Sequence, residues 1–344
     1  MSDPAPTTDA APPLLEVRGL KKYFPIKEGL FRRTIGQARA VDDVNLSVRA
    51  GTTLGIVGES GCGKTTLGRC IVRAIDPTAG QVSLRIGGEM VEISDLSARR
   101  LRPLRKHLQM VFQDPYSSLN PRKTILDIVS EPLRIHNVAK GTELEDQVCE
   151  LLKVVGLDIR YLKRYPHAFS GGQRQRIGIA RALGLNPELI VCDEPVSALD
   201  VSVQAQIINL LEDLQREFGL TYLFIAHDLS VVKHISDEVA VMYVGKLVEQ
   251  AETEDLFRQP KHPYTEALLS AVPRPDPNTK LDAITLEGEV ASPSNPPSGC
   301  YFHPRCPYAE SICETETPPW TNVGHNRYAA CHFANDLNLR GVDD

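Results

Sequence analysis

A parallel α/β fold carrying a helical insertion is predicted for the main body of this chain, with a smaller, loop-rich unit after it. Three observations predict it. Residues 53–57, 189–192 and 221–226 are short apolar runs with the character of buried strands. Helical stretches such as 203–217 separate them, and strand–helix alternation builds a parallel sheet. Composition then shifts near Gln259, because 12 of the 25 prolines lie between Pro260 and Pro319 and forbid long regular elements there.

Taken in order, residues 1–12 read as a disordered tail with neither the basic start nor the apolar core of a secretory signal. Residues 14–20 and 44–48 alternate like half-buried strands, and 26–39 between them reads as a loop or hairpin insertion. The run 53–57 leads into Gly58-Glu59-Ser60-Gly61-Cys62-Gly63-Lys64-Thr65, after which residues 66–72 can start a helix. From about 114 to 168 the pattern is helical, as in 147–155, where Gly156 marks a stop. The expected division is a nucleotide-binding domain over 13–258, with its helical subdomain at about 114–168, and a second domain over 259–344.

Bulk properties narrow the function. At 344 residues the chain exceeds one ordinary core, and a net charge of −6 argues against a protein that coats nucleic acid. The basic run 99–107 reads as a solvated helix face rather than a binding patch. No apolar run approaches the ~18–20 residues that cross a bilayer. The expectation is a cytosolic protein whose eight cysteines are reduced or metal-bound.

The segment Gly58–Thr65 is a complete GxxxxGK(S/T) loop in strand–loop–helix context. Its glycines let successive N–H groups turn inward, and the following helix start adds partial positive charge. Lys64 can reach β- and γ-phosphates, and the Thr65 hydroxyl can ligate Mg²⁺. A glycine-rich turn matching by chance would lack the strand, the lysine and the threonine together. Asp193 and Glu194 close an apolar strand, whose carboxyl end should face the loop. Asp193 would hold Mg²⁺ and Glu194 would polarise an attacking water, against the plainer reading of a charged pair ending a strand. Ser170-Gly171-Gly172-Gln173 is either a capping box or a second anion site at a helix start.

In order, the phosphate loop, Gln113, Ser170 to Gln173, the strand into Glu194, Ser197-Ala198-Leu199-Asp200 and His227 resemble the ATP-binding cassette (ABC) ATPases over about residues 13–258. The resemblance implies that Gly58, Glu59, Ser60, Gly61, Cys62, Gly63, Lys64, Thr65 and Thr66 hold the phosphates of ATP. It implies that Gln113 contacts Mg²⁺ and water, and that Ser170, Gly171 and Gly172, with Gln173, bind ATP held by a partner subunit. Asp193 is then the Mg²⁺-associated acid, Glu194 the catalytic carboxylate, and Asp200 part of a loop crossing the dimer interface. His227 would contact the γ-phosphate; a histidine after a strand is otherwise usually structural. An adenine-stacking aromatic is expected near the first strand, with Tyr23 the best fit, Phe24 the fallback, and plain core packing the alternative for either.

Cys300, Cys306, Cys313 and Cys331 are spaced C-x5-C-x6-C-x17-C, which suits a metal or an iron–sulfur cluster. The absence of CxxC pairs weighs against structural zinc, and free structural thiols are the plain alternative. Cys62, Cys70, Cys149 and Cys192 read as small apolar side chains. With residues 113–121 and 262–269, this tail looks like the oligopeptide/dipeptide permease branch. That resemblance implies a peripheral ATPase subunit of a bacterial importer of dipeptides or oligopeptides, on the cytoplasmic face of the inner membrane. Its partners would be a second ATPase forming a heterodimer, two membrane permeases and an extracytoplasmic substrate-binding protein. It also implies a 4Fe–4S cluster on the four cysteines, with zinc the alternative. Competing classes are an importer ATPase for another cargo, a soluble ABC protein outside transport, and an iron–sulfur redox protein using ATP conformationally. The first differs only in cargo. The second usually carries two cassettes or a long coiled coil, and the third would carry a flavin or dinucleotide motif; neither feature is present in the sequence.

Overall fold

The computed structural model describes residues 12–29, 33–114, 116–272, 284–324 and 326–342. Residues 1–11 of the segment read as a tail lie outside these. Strand β1 (Pro13–Glu28) pairs antiparallel with β2 (Arg33–Arg49), matching Leu15 to Val48, Lys22 to Val41 and Ile26 to Gly36. Of the segment 26–39, expected as a loop or hairpin, residues 26–28 and 33–39 pair as the outer end of the β1–β2 ladder. Its inner end buries Leu15, Val17, Leu20, Val44, Leu46 and Val48, the alternation read from the sequence.

Next come β3 (Thr53–Val57), whose five residues are all buried, and α1 (Lys64–Ile71). β4 (Ala79–Ile86) and β5 (Glu89–Glu92) complete a four-stranded antiparallel sheet in the order β2-β1-β4-β5. The basic run falls on α2 (Ala98–Leu101) and a 3₁₀ turn at Leu104–Lys106, mostly exposed, before β6 (Leu108–Val111). The helical insertion supplies α3 (Ile125–Ile135) and α4 (Gly141–Val154), the latter ending just before Gly156 in the left-handed region at φ 72°. α5 (Gly171–Leu183), β7 (Leu189–Asp193), α6 (Val201–Phe218), β8 (Thr221–Ile225), α7 (Leu229–Ile235) and β9 (Glu238–Tyr243) then alternate as expected of an α/β sheet. The chain continues through β10 (Lys246–Glu252), α8 (Thr253–Arg258), α9 (Pro263–Ser270), α10 (Ser311–Thr315), β11 (Thr321–Gly324) and β12 (Arg327–Ala329). The short elements after residue 259 follow from the prolines.

The larger sheet runs β11-β12-β10-β9-β3-β8-β7-β6. Its β9, β3, β8, β7 and β6 are mutually parallel, and β10 and β12 are antiparallel additions. Side chains alternate between two cores. Leu189, Val191, Leu223 and Ile225 pack with α1 and the antiparallel sheet, whereas Ile190, Cys192, Tyr222 and Phe224 face the opposite side. Register places the functional segments: Ile56 and Asp193 both lie beside Ile225, and Val111 beside Cys192. The residues that follow β3, β6, β7 and β8 therefore emerge along one edge, at the carboxyl ends of the strands.

Candidate active site

The loop leaving β3 winds tightly because Gly58 and Gly63 hold φ of 148° and 110°. A Cβ on Gly58 would stand 2.1 Å from the Met242 carbonyl oxygen, and one on Gly63 2.0 Å from that of Ala40. Only glycine fits either place. Lys64 folds across the loop, its Nζ donating to the carbonyls of Gly58 at 2.7 Å and Glu59 at 3.0 Å. Ser60 and Gly61 form the exposed tip, while Cys62 and Lys64 are buried. Thr66 follows on the first turn of α1.

Thr65 donates its hydroxyl to Oδ1 of Asp193 at 2.7 Å. Asp193 is fully buried, and its other oxygen, Oδ2, has no hydrogen-bond partner among the described residues; Arg69 approaches it only to 4.0 Å. Burial pushes this carboxyl up, and the Thr65 hydrogen bond and the Arg69 charge pull against it. An orphaned carboxylate oxygen beside a hydroxyl is a hard-oxygen donor set that fits Mg²⁺.

One residue on, Glu194 sits in the left-handed region at φ 45°, a strained position for a non-glycine residue. Its N–H donates to the Ile225 carbonyl at 2.9 Å, which locks β7 to β8 at that point. Its side chain accepts a hydrogen bond from Gln113 Nε2 at 2.7 Å, and His227 Nδ1 stands 3.5 Å from the same oxygen. Gln113, Glu194 and His227, drawn from three separate strand ends, thus converge beside Thr65 and Asp193.

The remaining expected residues lie elsewhere. Ser170 and Gln173 form the capping box of α5, with Gln173 N donating to Ser170 Oγ at 3.3 Å and Ser170 N to Gln173 Oε1 at 3.1 Å. Asp200 caps α6 by accepting from Val203 N at 3.0 Å and from Ser202 Oγ at 2.7 Å, contacts that hold its carboxyl below the usual range. These two helix starts touch: a Cβ on Gly172 would stand 2.4 Å from Val203 Cγ1, and Gly171 faces Leu199. None of the hydrogen bonds or ion pairs of the described residues joins Ser170–Gln173 or Asp200 to the phosphate loop. Tyr23 is half-buried, and its hydroxyl donates to Asp42, which also accepts from Tyr301 at 2.7 Å. Phe24 is more exposed, under the Lys22 ammonium at 5.0 Å.

Cys300, Cys306, Cys313 and Cys331 line one cavity of about 20 Å³ with His262 and His303. Burial pushes the thiols of Cys300, Cys306 and Cys331 up, Cys306 to about 12 and Cys331 to about 11. Four soft donors around one pocket fit a thiophilic group in chemistry. Among the described residues, however, no group of three or more His, Cys, Asp or Glu side chains stands in metal-holding geometry. The donor set is gathered but not assembled.

Two contacts of the loop escaped the sequence. The Tyr264 hydroxyl accepts the Glu59 N–H at 2.9 Å, and Arg305 pairs with both oxygens of the Glu59 carboxylate at 3.0 and 3.2 Å. Tyr264 lies in the segment 262–269 that marked the tail's resemblance; nothing in the sequence around Arg305 singles it out.

Fold and site together define a P-loop nucleotide hydrolase. The ABC transporter family matches residues 41–197, and the C-terminal region of oligopeptide/dipeptide transporters matches residues 248–313. The chain is 56% identical to the oligopeptide transport ATP-binding protein AppF of Bacillus subtilis, over 93% of this chain and 97% of that one. It is 51% identical to the dipeptide transport ATP-binding protein DppF of Haemophilus influenzae, over 93% and 96% of the two chains. Among solved structures, an ATP-binding cassette captured as a dimer in a post-hydrolysis state with ADP and Pi superposes with a TM-score of 0.60. That cassette is 29% identical, and the match covers 70% of this chain and 98% of it. The chain belongs to the ABC transporter ATP-binding proteins, in the oligopeptide/dipeptide branch, and is an ATPase of that family.

Proposed function

We propose that this ATPase subunit drives peptide import by binding and hydrolysing ATP at a dimer interface. The observation that carries the reading is the convergence of Gln113, Glu194 and His227 beside the Thr65–Asp193 pair. Gly58 to Thr66 hold the phosphates, and Thr65, Asp193 and Gln113 hold Mg²⁺, which supplies neutralisation of phosphate charge. Glu194, kept in place by Gln113, accepts the proton of the attacking water, and His227 contacts the γ-phosphate. Tyr23 stacks on the adenine. Ser170, Gly171, Gly172 and Gln173 close on ATP held by a second ATPase subunit, and Asp200 lies at the seam. ATP thereby favours the closed pair, and loss of phosphate releases it.

The subunit works on the cytoplasmic face of the inner membrane with a different ATPase, two permeases and an extracytoplasmic binding protein. The stretch 114–121 is the contact with the permeases. The nucleotide-binding domain spans 13–258, with its helical part at about 114–168, and the remainder of the chain forms the second domain. No helix among the described residues is long and apolar enough to cross a membrane, so transport needs partners that are.

Glu194→Gln should bind ATP normally but lose turnover by about 10²–10⁴-fold, the general-base contribution. Unchanged hydrolysis in the assembled complex would remove Glu194 from that role. Co-purification with two polytopic membrane proteins separates transport from the soluble alternatives. The four tail cysteines hold a 4Fe–4S cluster in this reading, supported by their convergence on one cavity. Anaerobically purified protein should be brown and carry iron in that stoichiometry; a colourless preparation loaded with zinc alone would overturn the cluster.

A further inference from the structure

The phosphate loop contains three glycines in the left-handed region, at positions 58, 61 and 63, so its own backbone does little to fix its shape. Gly58 and Gly63 are walled in by the Met242 and Ala40 carbonyls, and Lys64 ties Gly58 and Glu59 from within. The exposed turn at Ser60 and Gly61 has no such wall. A second restraint on the chain entering that turn comes from the distant tail. Arg305 forks onto both Glu59 oxygens, with only 8% of its side chain exposed against 27% of that of Glu59. Tyr264 holds the Glu59 N–H, and is itself wedged against Tyr243 and Phe302 at centroid distances of 4.7 and 5.4 Å. A planar guanidinium bound through two parallel hydrogen bonds fixes direction as well as distance. Glu59 is therefore held at both its backbone and its side chain, immediately before the peptides that face a phosphate.

We propose that Arg305 is a positioning residue for nucleotide binding: by clamping the Glu59 carboxylate while the Tyr264 hydroxyl holds the Glu59 N–H, it sets the shape of the phosphate loop from the cysteine-bearing tail. This rests on the reading of Gly58–Thr66 as the phosphate site. Arg305 touches no nucleotide; it acts through Glu59. Loss of the fork should leave the loop able to bind, but only after the nucleotide itself orders it, so affinity falls while the chemical step persists.

The test is equilibrium binding of a fluorescent ATP analogue to the full-length chain. Arg305→Met and Glu59→Gln should each weaken binding on the order of tenfold, and the double variant should be no weaker than either single one, as for members of one ion-pair network. Arg305→Lys should recover part of the loss, because it keeps the charge but not the fork. In the assembled ATPase, Arg305→Met should raise KM for ATP roughly tenfold with kcat nearly unchanged, whereas a merely structural role would lower active protein and leave KM alone. Lys64→Ala is the control. If it abolishes binding while Arg305→Met and Glu59→Gln bind as wild type, or if those two changes add independently, the proposal fails and the phosphate site stands. If Lys64→Ala also binds as wild type, the site assignment fails and the proposal falls with it. Should Arg305→Met not fold, Glu59→Gln and Arg305→Lys carry the same comparison.

Discussion

Gly63 shows how little latitude single positions have at this site. Two constraints coincide there, a φ of 110° and an Ala40 carbonyl 2.0 Å from any added Cβ. Gly63→Ala should therefore abolish nucleotide binding, because the loop must move to admit the methyl group. Gly219→Ala, at φ 65° with open space around it, should cost about 1 kcal/mol of stability and leave binding intact. Nucleotide titration paired with thermal unfolding separates the two; a Gly63→Ala protein that binds ATP as wild type would refute the crowding argument. Lys64, Thr65 and Asp193 were legible because motif and strand context place each within a turn of its partner in space. Arg305 was not. Its partner is 246 residues away, and no local pattern encodes a pairing of that span.

At the scale of elements, short apolar runs mark the buried strands β3, β7 and β8, and the capping signal Ser-x-x-Gln marks the start of α5. Such runs give no sign of β5, whose residues are nearly all exposed and which holds its place by pairing with β4 rather than by burial. The pair β9 and β10 also went unread; β10 interleaves Lys246, Glu249, Gln250 and Glu252 with its apolar residues, so no continuous apolar run marks it. Capping explains Ser170, Gln173 and Asp200 within one chain. The proposed contact with a nucleotide across a seam would be a property of two chains, which no intrachain hydrogen bond could report.

Across the whole molecule, the tail and the nucleotide-binding body share one sheet, since β12 pairs with β10 through Glu249–Ala329 and Gln250–Tyr328. Glu249 is fully buried there. Its carboxylate accepts from Arg327 at 2.9 Å and from the backbone of Lys261 at 2.8 Å and His262 at 2.9 Å. Burial pushes this carboxyl up, and Arg327 opposes the shift. Arg327→Met leaves that group without its cation and should cost about 3–5 kcal/mol. Denaturant unfolding measures it, and a loss below about 1 kcal/mol would show that the backbone donors suffice alone.

A chain that stopped after α8 would not be a smaller motor. It would present β10 as a raw sheet margin, with unsatisfied backbone groups and an unneutralised acid in its middle, and such margins recruit other polypeptides. Premature termination of this gene product should therefore end in inclusion bodies rather than in an idle enzyme.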